Sequence, residues 1–180
     1  MFSLAGKKAL VIGIANSQSI AYGCAKAFRE QGANLAVTYL NEKAEPFVRP
    51  LAEELGADLV LPLDVTKDGQ FGALFDSIRQ HWGRIDICVH SIAFCPREDL
   101  HARVMDCSRA GFATAMDVSV YSFISMVRGA DELLERAAER APTHHLATVD
   151  RSVPTLRFSP AAKPRTSPEA STTSTADITS

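Results

Sequence analysis

Three short stretches carry residue types suited to holding an anionic ligand that bears a ring. The first is VIGIANSQSIAYG, residues 11 to 23. An apolar run ends at Gly13, and a helical pattern opens near Ser19 and Ile20. A glycine at a strand end lets the backbone come close to a phosphate. A helix start just beyond it points free N–H groups at the same anion, and Ser19 can add a hydroxyl. The stretch lacks the glycine spacing of a usual dinucleotide turn, so on its own it also fits a plain strand-to-helix connection. The second stretch is Asp64-Val65, at the end of a third strand. Its carboxylate or neighbouring backbone suits contact with an adenine, or caps a helix. The third is Ser91-Ile92-Ala93, small residues that end a fourth strand and either admit a ribose closely or make a simple turn.

Other candidates are less decisive. A carboxylate for a ribose 2′-hydroxyl is expected about 20 residues past such a glycine turn. The second strand ends instead at Tyr39-Leu40-Asn41. Glu42 comes slightly late, and Lys43 suits a 2′-phosphate, so these residues leave NAD and NADP both open. Cys88, His90 and Cys95 offer metal-ligand atoms, but a structural zinc site wants four ligands at tighter spacing. Cys88 and His90 fit a buried strand instead. The four cysteines, at 24, 88, 95 and 107, form no C-x-x-C pair and suit a reduced compartment, the cytoplasm.

These stretches need a frame, and the first 134 residues supply one. Apolar runs at Lys8 to Ile12, Asn34 to Tyr39, Leu59 to Leu63 and Ile85 to His90 predict four strands. Between them, Ile20 to Gln31, Pro46 to Leu55 and Gln70 to Trp82 predict helices, stopped by Gly32, Gly56 and Gly83. A loop then leads to a long helix from about Ser108 to Leu134. Continuous rather than alternating apolar runs suit parallel strands buried on both faces. The order β-α-β-α-β-α-β therefore predicts a doubly wound α/β sheet with right-handed crossovers.

The composition agrees with a globular chain. It has 180 residues, 46% of them hydrophobic and 22% charged, with a net charge of −2. That balance argues for neither nucleic acid nor membrane as a partner. No apolar run is expected to reach the roughly 20 residues of a membrane span. The start, MFSLAGKKALVIG, has no small-residue cleavage site and leads into a strand, unlike a signal peptide. After Leu134 the character changes. Gly129 is the last glycine, five of nine prolines fall between residues 142 and 168, and the chain finishes SPEASTTSTADITS. Residues 135–180 are thus expected to form an irregular, largely disordered tail, with a short strand weighed at His145 to Val149.

The motifs together resemble a known family. Gly13 with Ser19-Ile20-Ala21, then Asp64-Val65, then HSIAF at residues 90 to 94, are similar to the bacterial enoyl-acyl-carrier-protein reductases. AYGCAKAFREQGA, TYLNEKAEPFVRPLAEELGA, REDLHARVMDCS and FATAMDVSVYSFI carry the same likeness. These enzymes are divergent short-chain dehydrogenases/reductases, and the resemblance covers residues 1 to about 134. It implies the first four of seven strands of a Rossmann-type sheet, in the order 3-2-1-4. It implies NADH as cofactor, with NADPH not excluded, and an enoyl chain on acyl carrier protein as substrate. Cofactor contacts would fall on Gly13, Ala15, Ser19, Ile20, Asp64, Val65, Ser91, Ile92 and Ala93. Phe94 to Asp99 would border the nicotinamide and substrate. A homotetramer is implied, with the helix from Ser108 at a subunit interface.

The family's catalytic pair is a tyrosine with a lysine seven positions later, an acidic hydroxyl beside a fixed positive charge. The tyrosines here are Tyr22, Tyr39 and Tyr121. Tyr121 has Arg128 at that distance, but it falls in the helix before the family's fifth strand, and arginine replaces a ribose-binding lysine poorly. It reads as a packing or interface residue. No catalytic residue is assigned, and the 180-residue chain is expected to be inactive. The fourth strand is expected to be an exposed apolar edge and a cause of poor solubility. The tail has the look of an out-of-frame segment, since Ala170 to Thr175 can be back-translated so that a neighbouring frame reads Ile-Asp-Asp-Phe-Asp. Two readings compete with a reductase by descent. One is a non-catalytic nucleotide-binding or subunit-interaction module. The other is a ketoreductase, which the SIA at residues 91 to 93 disfavours.

Overall fold

The segment KALVI has no polar side chain after its first residue. A strand that apolar needs cover on both faces. In the computed structural model, which describes residues 3–140 and side chains as far as Leu134, it receives that cover. This strand, β1 (Lys8–Ile12), has Ala9, Leu10, Val11 and Ile12 fully buried. It pairs in parallel with β2 (Asn34–Tyr39) on one side and β4 (Ile87–His90) on the other. β3 (Leu59–Pro62) pairs in parallel with β2, which makes the order β3-β2-β1-β4. Both the doubly wound class and the strand order follow the expectation from sequence.

Alternate residues of β1 face two separate cores. Ala9 and Val11 pack with Ala21, Tyr22 and Ala25 of α1 (Ile20–Glu30) and Val48 and Ala52 of α2 (Glu45–Glu54). Leu10 and Ile12 pack with Leu74, Phe75 and Ile78 of α3 (Gln70–His81) and with Met126, Ala130 and Leu133 of a later helix. The chain thus winds outward from β1 to β3 over one face. It then returns over the other to place β4 against the free side of β1. The switch in winding direction lies between β1 and β4.

Beyond β4, the expected loop contains a short helix, α4 (Arg97–Leu100), and a 3-10 turn at Val104–Asp106. The expected single long helix divides in three. After Ser108 as N-cap, α5 (Arg109–Met116) leads into a π-helical turn, Asp117–Tyr121, and then α6 (Ser122–Arg140). The helix therefore runs past the boundary at Leu134 read from composition. The rest of the expected tail, with its strand at residues 145–149, lies outside the described residues.

Two further expectations change. The stretch Arg109–Leu134 is long and apolar enough, by length and composition, to cross a membrane. Reading for unbroken hydrophobic runs missed it because Thr114, Asp117, Ser119, Ser122, Ser125 and Arg128 dilute the pattern. Its inner stripe, Val118, Met126, Ala130 and Leu133, is buried, the last three in the second core. Its outer side leaves Phe112, Met116, Val120, Tyr121, Phe123, Ile124 and Val127 exposed. Second, Cys88 and His90 do sit on β4, but all four residues of that strand are only half-buried. Among the described residues β4 is an edge strand, as expected.

Gly129 sets the packing distance between α6 and α3. A Cβ there would come within 2.3 Å of the buried Phe75 ring. Gly129→Ala is expected to destabilise by up to about 2 kcal/mol, the overpacking cost of ~1–3 kcal/mol less a helix-propensity gain of ~1 kcal/mol. Gly72→Ala on α3, where nothing lies within 4 Å of the new methyl, should instead stabilise. Urea unfolding of both variants checks this, and equal stabilisation of the two would refute the close α3–α6 contact.

Candidate functional site

The carboxyl ends of all four strands open into one cleft of about 510 Å³. Such a crevice at a winding switch is the ordinary ligand site of an open α/β sheet. Gly13, Ile14 and Ala15 enter it from the end of β1, and Thr38 and Leu40 from β2. Leu63 to Thr66 follow β3, and Ser91 to Phe94 follow β4. Thr114 and Val118 close it from the helix. Of the nine residues expected to touch a cofactor, seven line this cleft: Gly13, Ala15, Asp64, Val65, Ser91, Ile92 and Ala93. Ser19 and Ile20 stand off its lining, at the start of α1.

Gly13 has a reason beyond access for a phosphate. Its φ is 107°, and a Cβ would lie 2.2 Å from the Ser91 carbonyl oxygen. The ends of β1 and β4 meet so closely that only glycine fits. Ser91 N–H in turn donates to the Ile12 carbonyl at 3.0 Å. This seam brings the turn after β1 and the small residues after β4 to the same place.

At α1, Ser19 is the N-cap. Its hydroxyl donates to the Asn16 carbonyl at 2.7 Å and accepts from the Tyr22 N–H at 3.3 Å. The serine proton is thus spent inside the turn. The N–H groups of Ile20 and Ala21 keep no partner among the described residues. What the helix start offers an anion is backbone N–H, not the Ser19 hydroxyl.

Asp64 both lines the cleft and organises its own turn. Its carboxylate accepts from Thr66 Oγ1 at 2.6 Å and Thr66 N at 3.1 Å, with Lys67 Nζ 3.7 Å away. Its N–H donates to Gln70 Oε1 at 2.6 Å. The Thr66 hydroxyl, more than any other group, holds the carboxyl below its usual 3.8. Asp64 caps no helix, because the N-cap of α3 is Gly69; its carboxylate instead closes a local turn at the edge of the cleft. At the end of β2, Asn41 Oδ1 accepts from Lys43 N and Ala44 N. Glu42 and Lys43 point no side chain into the cleft lining, whereas Leu40 does.

The metal alternative finds no cluster. Among the described residues no three His, Cys, Asp or Glu side chains come together as a metal site. Burial pushes the Cys88 thiol up to about 12, so it stays protonated. His90 Nε2 lies 2.7 Å from Ser122 Oγ, and burial lowers its pKa, which favours the neutral ring. Reading from sequence missed Thr38, Thr114 and Val118. Thr38 is a buried polar residue on an otherwise apolar strand, a signal that was legible. Thr114 and Val118 carry none, since only packing of the helix brings them to the cleft.

The family model described as Enoyl-(Acyl carrier protein) reductase matches residues 13–163. The chain belongs to the enoyl-acyl-carrier-protein reductase family. It is 48% identical over 132 residues to the enoyl-acyl-carrier-protein reductase (NADH) of Aquifex aeolicus, covering 73% of this chain and 49% of the relative. To the Nostoc sp. enzyme of the same name it is 42% identical over 166 residues, covering 91% and 64%. The chain thus spans about half to two-thirds of the length of these relatives. The crystal structure of the Aquifex enzyme superimposes with a TM-score of 0.71 at 43% identity, over 78% of this chain and 60% of that one. The Anaplasma phagocytophilum reductase in complex with NAD also gives 0.71, at 37% identity, over 79% and 58%. The family match runs beyond residue 134, further than the motifs carried the resemblance.

Thr66→Ala removes the main cause of the low Asp64 pKa. The carboxyl is expected to titrate closer to 3.8 in the variant, as read by NMR. A lowered folded pKa stabilises the fold above the unfolded value, and that share is lost as pH falls through the folded one. Wild type should therefore lose the contribution below about pH 4, and the variant should have less of it to lose. An unchanged titration would remove Thr66 from this role.

Proposed function

We propose that the cleft binds a nicotinamide adenine dinucleotide and that the full-length protein is an NADH-dependent enoyl-acyl-carrier-protein reductase. Its reaction would reduce the trans-2 double bond of an acyl thioester in fatty acid synthesis, in the cytoplasm. The observation that carries this reading is the cleft at the β1–β4 switch in a chain of this family. Its walls suit the ligand. A pyrophosphate would meet the turn Gly13 to Ala15 and the N–H groups of Ile20 and Ala21. The adenosine half would lie over β2 and β3, against Asp64 and Val65. The nicotinamide half would lie over β4, against Ser91, Ile92 and Ala93. When bound, the reduced nicotinamide supplies a hydride, and the residues named here bind and orient it. The B. cereus relative was solved with NADP+, and neither Glu42 nor Lys43 lines the cleft to read the 2′-position. NADH is preferred on the names of the relatives.

Residues 1–134 are proposed as the nucleotide-binding part. The three tyrosines of the sequence lack a lysine seven positions later, so no residue of this 180-residue chain supplies the family's acidic hydroxyl beside a lysine. The chain is expected to bind NADH, measured by nicotinamide fluorescence, yet not to oxidise it when an enoyl thioester is added. Steady turnover by the pure chain would overturn the proposal of inactivity, and absence of NADH binding would overturn the cleft assignment.

The exposed apolar side of α5 and α6 supports a second element of the proposal, a homotetramer with this helix at a subunit interface. It equally supports a non-catalytic subunit-interaction module as the alternative role. Removal of seven exposed large hydrophobic side chains from water favours association. Light scattering after size exclusion should show an assembly or aggregate, and co-purification with a full-length reductase would mark the module. A monodisperse monomer would contradict both.

A further inference from the structure

Between β4 and α4, hydrogen bonds tie down only the two ends of the cleft wall, while the Ile92 side chain between them packs against the second core. Ser91 N–H donates to the Ile12 carbonyl at 3.0 Å. Phe94 N–H donates to Ser119 Oγ at 3.0 Å, and that hydroxyl lies 3.3 Å from the Phe94 carbonyl, to which it donates. Ile92 and Ala93, which lie between these ties, have no backbone partner among the described residues. Their N–H and C=O groups are free for a ligand and held in place from outside. Phe94 itself is half-exposed, so no core packing fixes it.

Ser119 sits in the π-helical turn Asp117–Tyr121. Such single turns recur at functional sites because they redirect side chains within a helix. Here Ser122 N–H reaches back five residues to the Asp117 carbonyl, while its hydroxyl donates to the Val118 carbonyl at 2.6 Å. With that proton given away, Ser122 Oγ can only accept from His90, so His90 carries its proton on Nε2. The turn is thus tied to the wall at Phe94, and the first residue of α6 beside it to β4 at His90, four residues apart on one segment. Val118, from the same turn, forms part of the cleft surface.

We propose that Ser119 is a positioning residue: through its paired bonds to Phe94 it holds the Ile92–Ala93 backbone in register for the nicotinamide half of a bound dinucleotide. The proposal rests on the dinucleotide reading of the cleft. Because Ser119 touches only the β4 side, its effect is confined to that half of the ligand. Asp64 and Val65, on the β3 side, are unaffected.

The test is titration of the full chain with NADH and, separately, with ADP, which lacks the nicotinamide and its ribose. Ser119→Ala is expected to weaken NADH about five- to tenfold, the scale of one lost hydrogen-bonded constraint, and to leave ADP unchanged. Ser119→Thr, which keeps the hydroxyl, should restore NADH affinity. Equal loss of both ligands would mark a general disturbance of the fold and overturn the proposal, as would unchanged NADH affinity in Ser119→Ala. If the wild-type chain binds neither ligand, the dinucleotide reading itself falls, and the proposal with it. Binding of ADP by wild type separates that case from failure of the Ser119 role alone.

Discussion

The seam between β1 and β4 is the contact on which the remaining architecture depends. Parallel strands cannot be joined by a tight turn, so the neighbours of β1 must each arrive by a helical crossover. β2 arrives over one face and β4 over the other, which leaves the two crossover loops pointing apart and a crevice between them. For the strands to pair to their carboxyl ends, the backbone after Ile12 must pass the Ser91 carbonyl at a distance that excludes any Cβ. Gly13 meets that condition with a left-handed φ. The glycine therefore serves the sheet and the cleft by one geometry. The close passage that pairs the strands also bares the turn where a phosphate would approach.

Around this seam the cleft is built largely from backbone and small side chains. Polar side chains near it are mostly committed to holding turns. Ser19 caps α1, Asp64 ties its own turn through Thr66, and Asn41 closes the turn after β2. This arrangement leaves main-chain N–H and C=O groups at the cavity, held by turn-forming side chains of which Asp64 and Thr66 also line it. A site of this kind recognises phosphate and ribose by shape and direction of N–H bonds rather than by charge, which suits a chain with a net charge of only −2.

The helix that closes the cleft faces two environments. Its inner stripe joins the second core, and its π-turn reaches the β4 segment through Ser119 and Ser122. Its outer side is apolar and open. Burial of that side by another surface would press on the same helix that supplies Val118 and Ser119 to the cleft.

Much of this was legible from sequence. Largely apolar, non-alternating runs such as KALVI and the LAV within NLAVTY suit burial between two layers of helices, so the parallel sheet followed from them. Gly32, Gly56 and Gly83 placed the helix ends, and the order of elements left few windings open. Gly13, Asp64 and Ser91 stood out because each ends a strand, where such folds place ligands. Other features depend on distances between residues far apart in the chain. That the Ser19 hydroxyl is spent on Asn16, that Asp64 is tied by Thr66, and that Gly13 is required by Ser91 are facts of three-dimensional approach. The π-turn has no signature in local periodicity, because one wide turn barely shifts the apolar pattern, and its role appears only where Ser119 meets Phe94. Local pattern and strand order, which depend on neighbours in sequence, were determined by the residues alone. The partners of each polar group were decided by the tertiary structure, because hydrogen bonds are made only by groups that the fold has brought within about 3 Å.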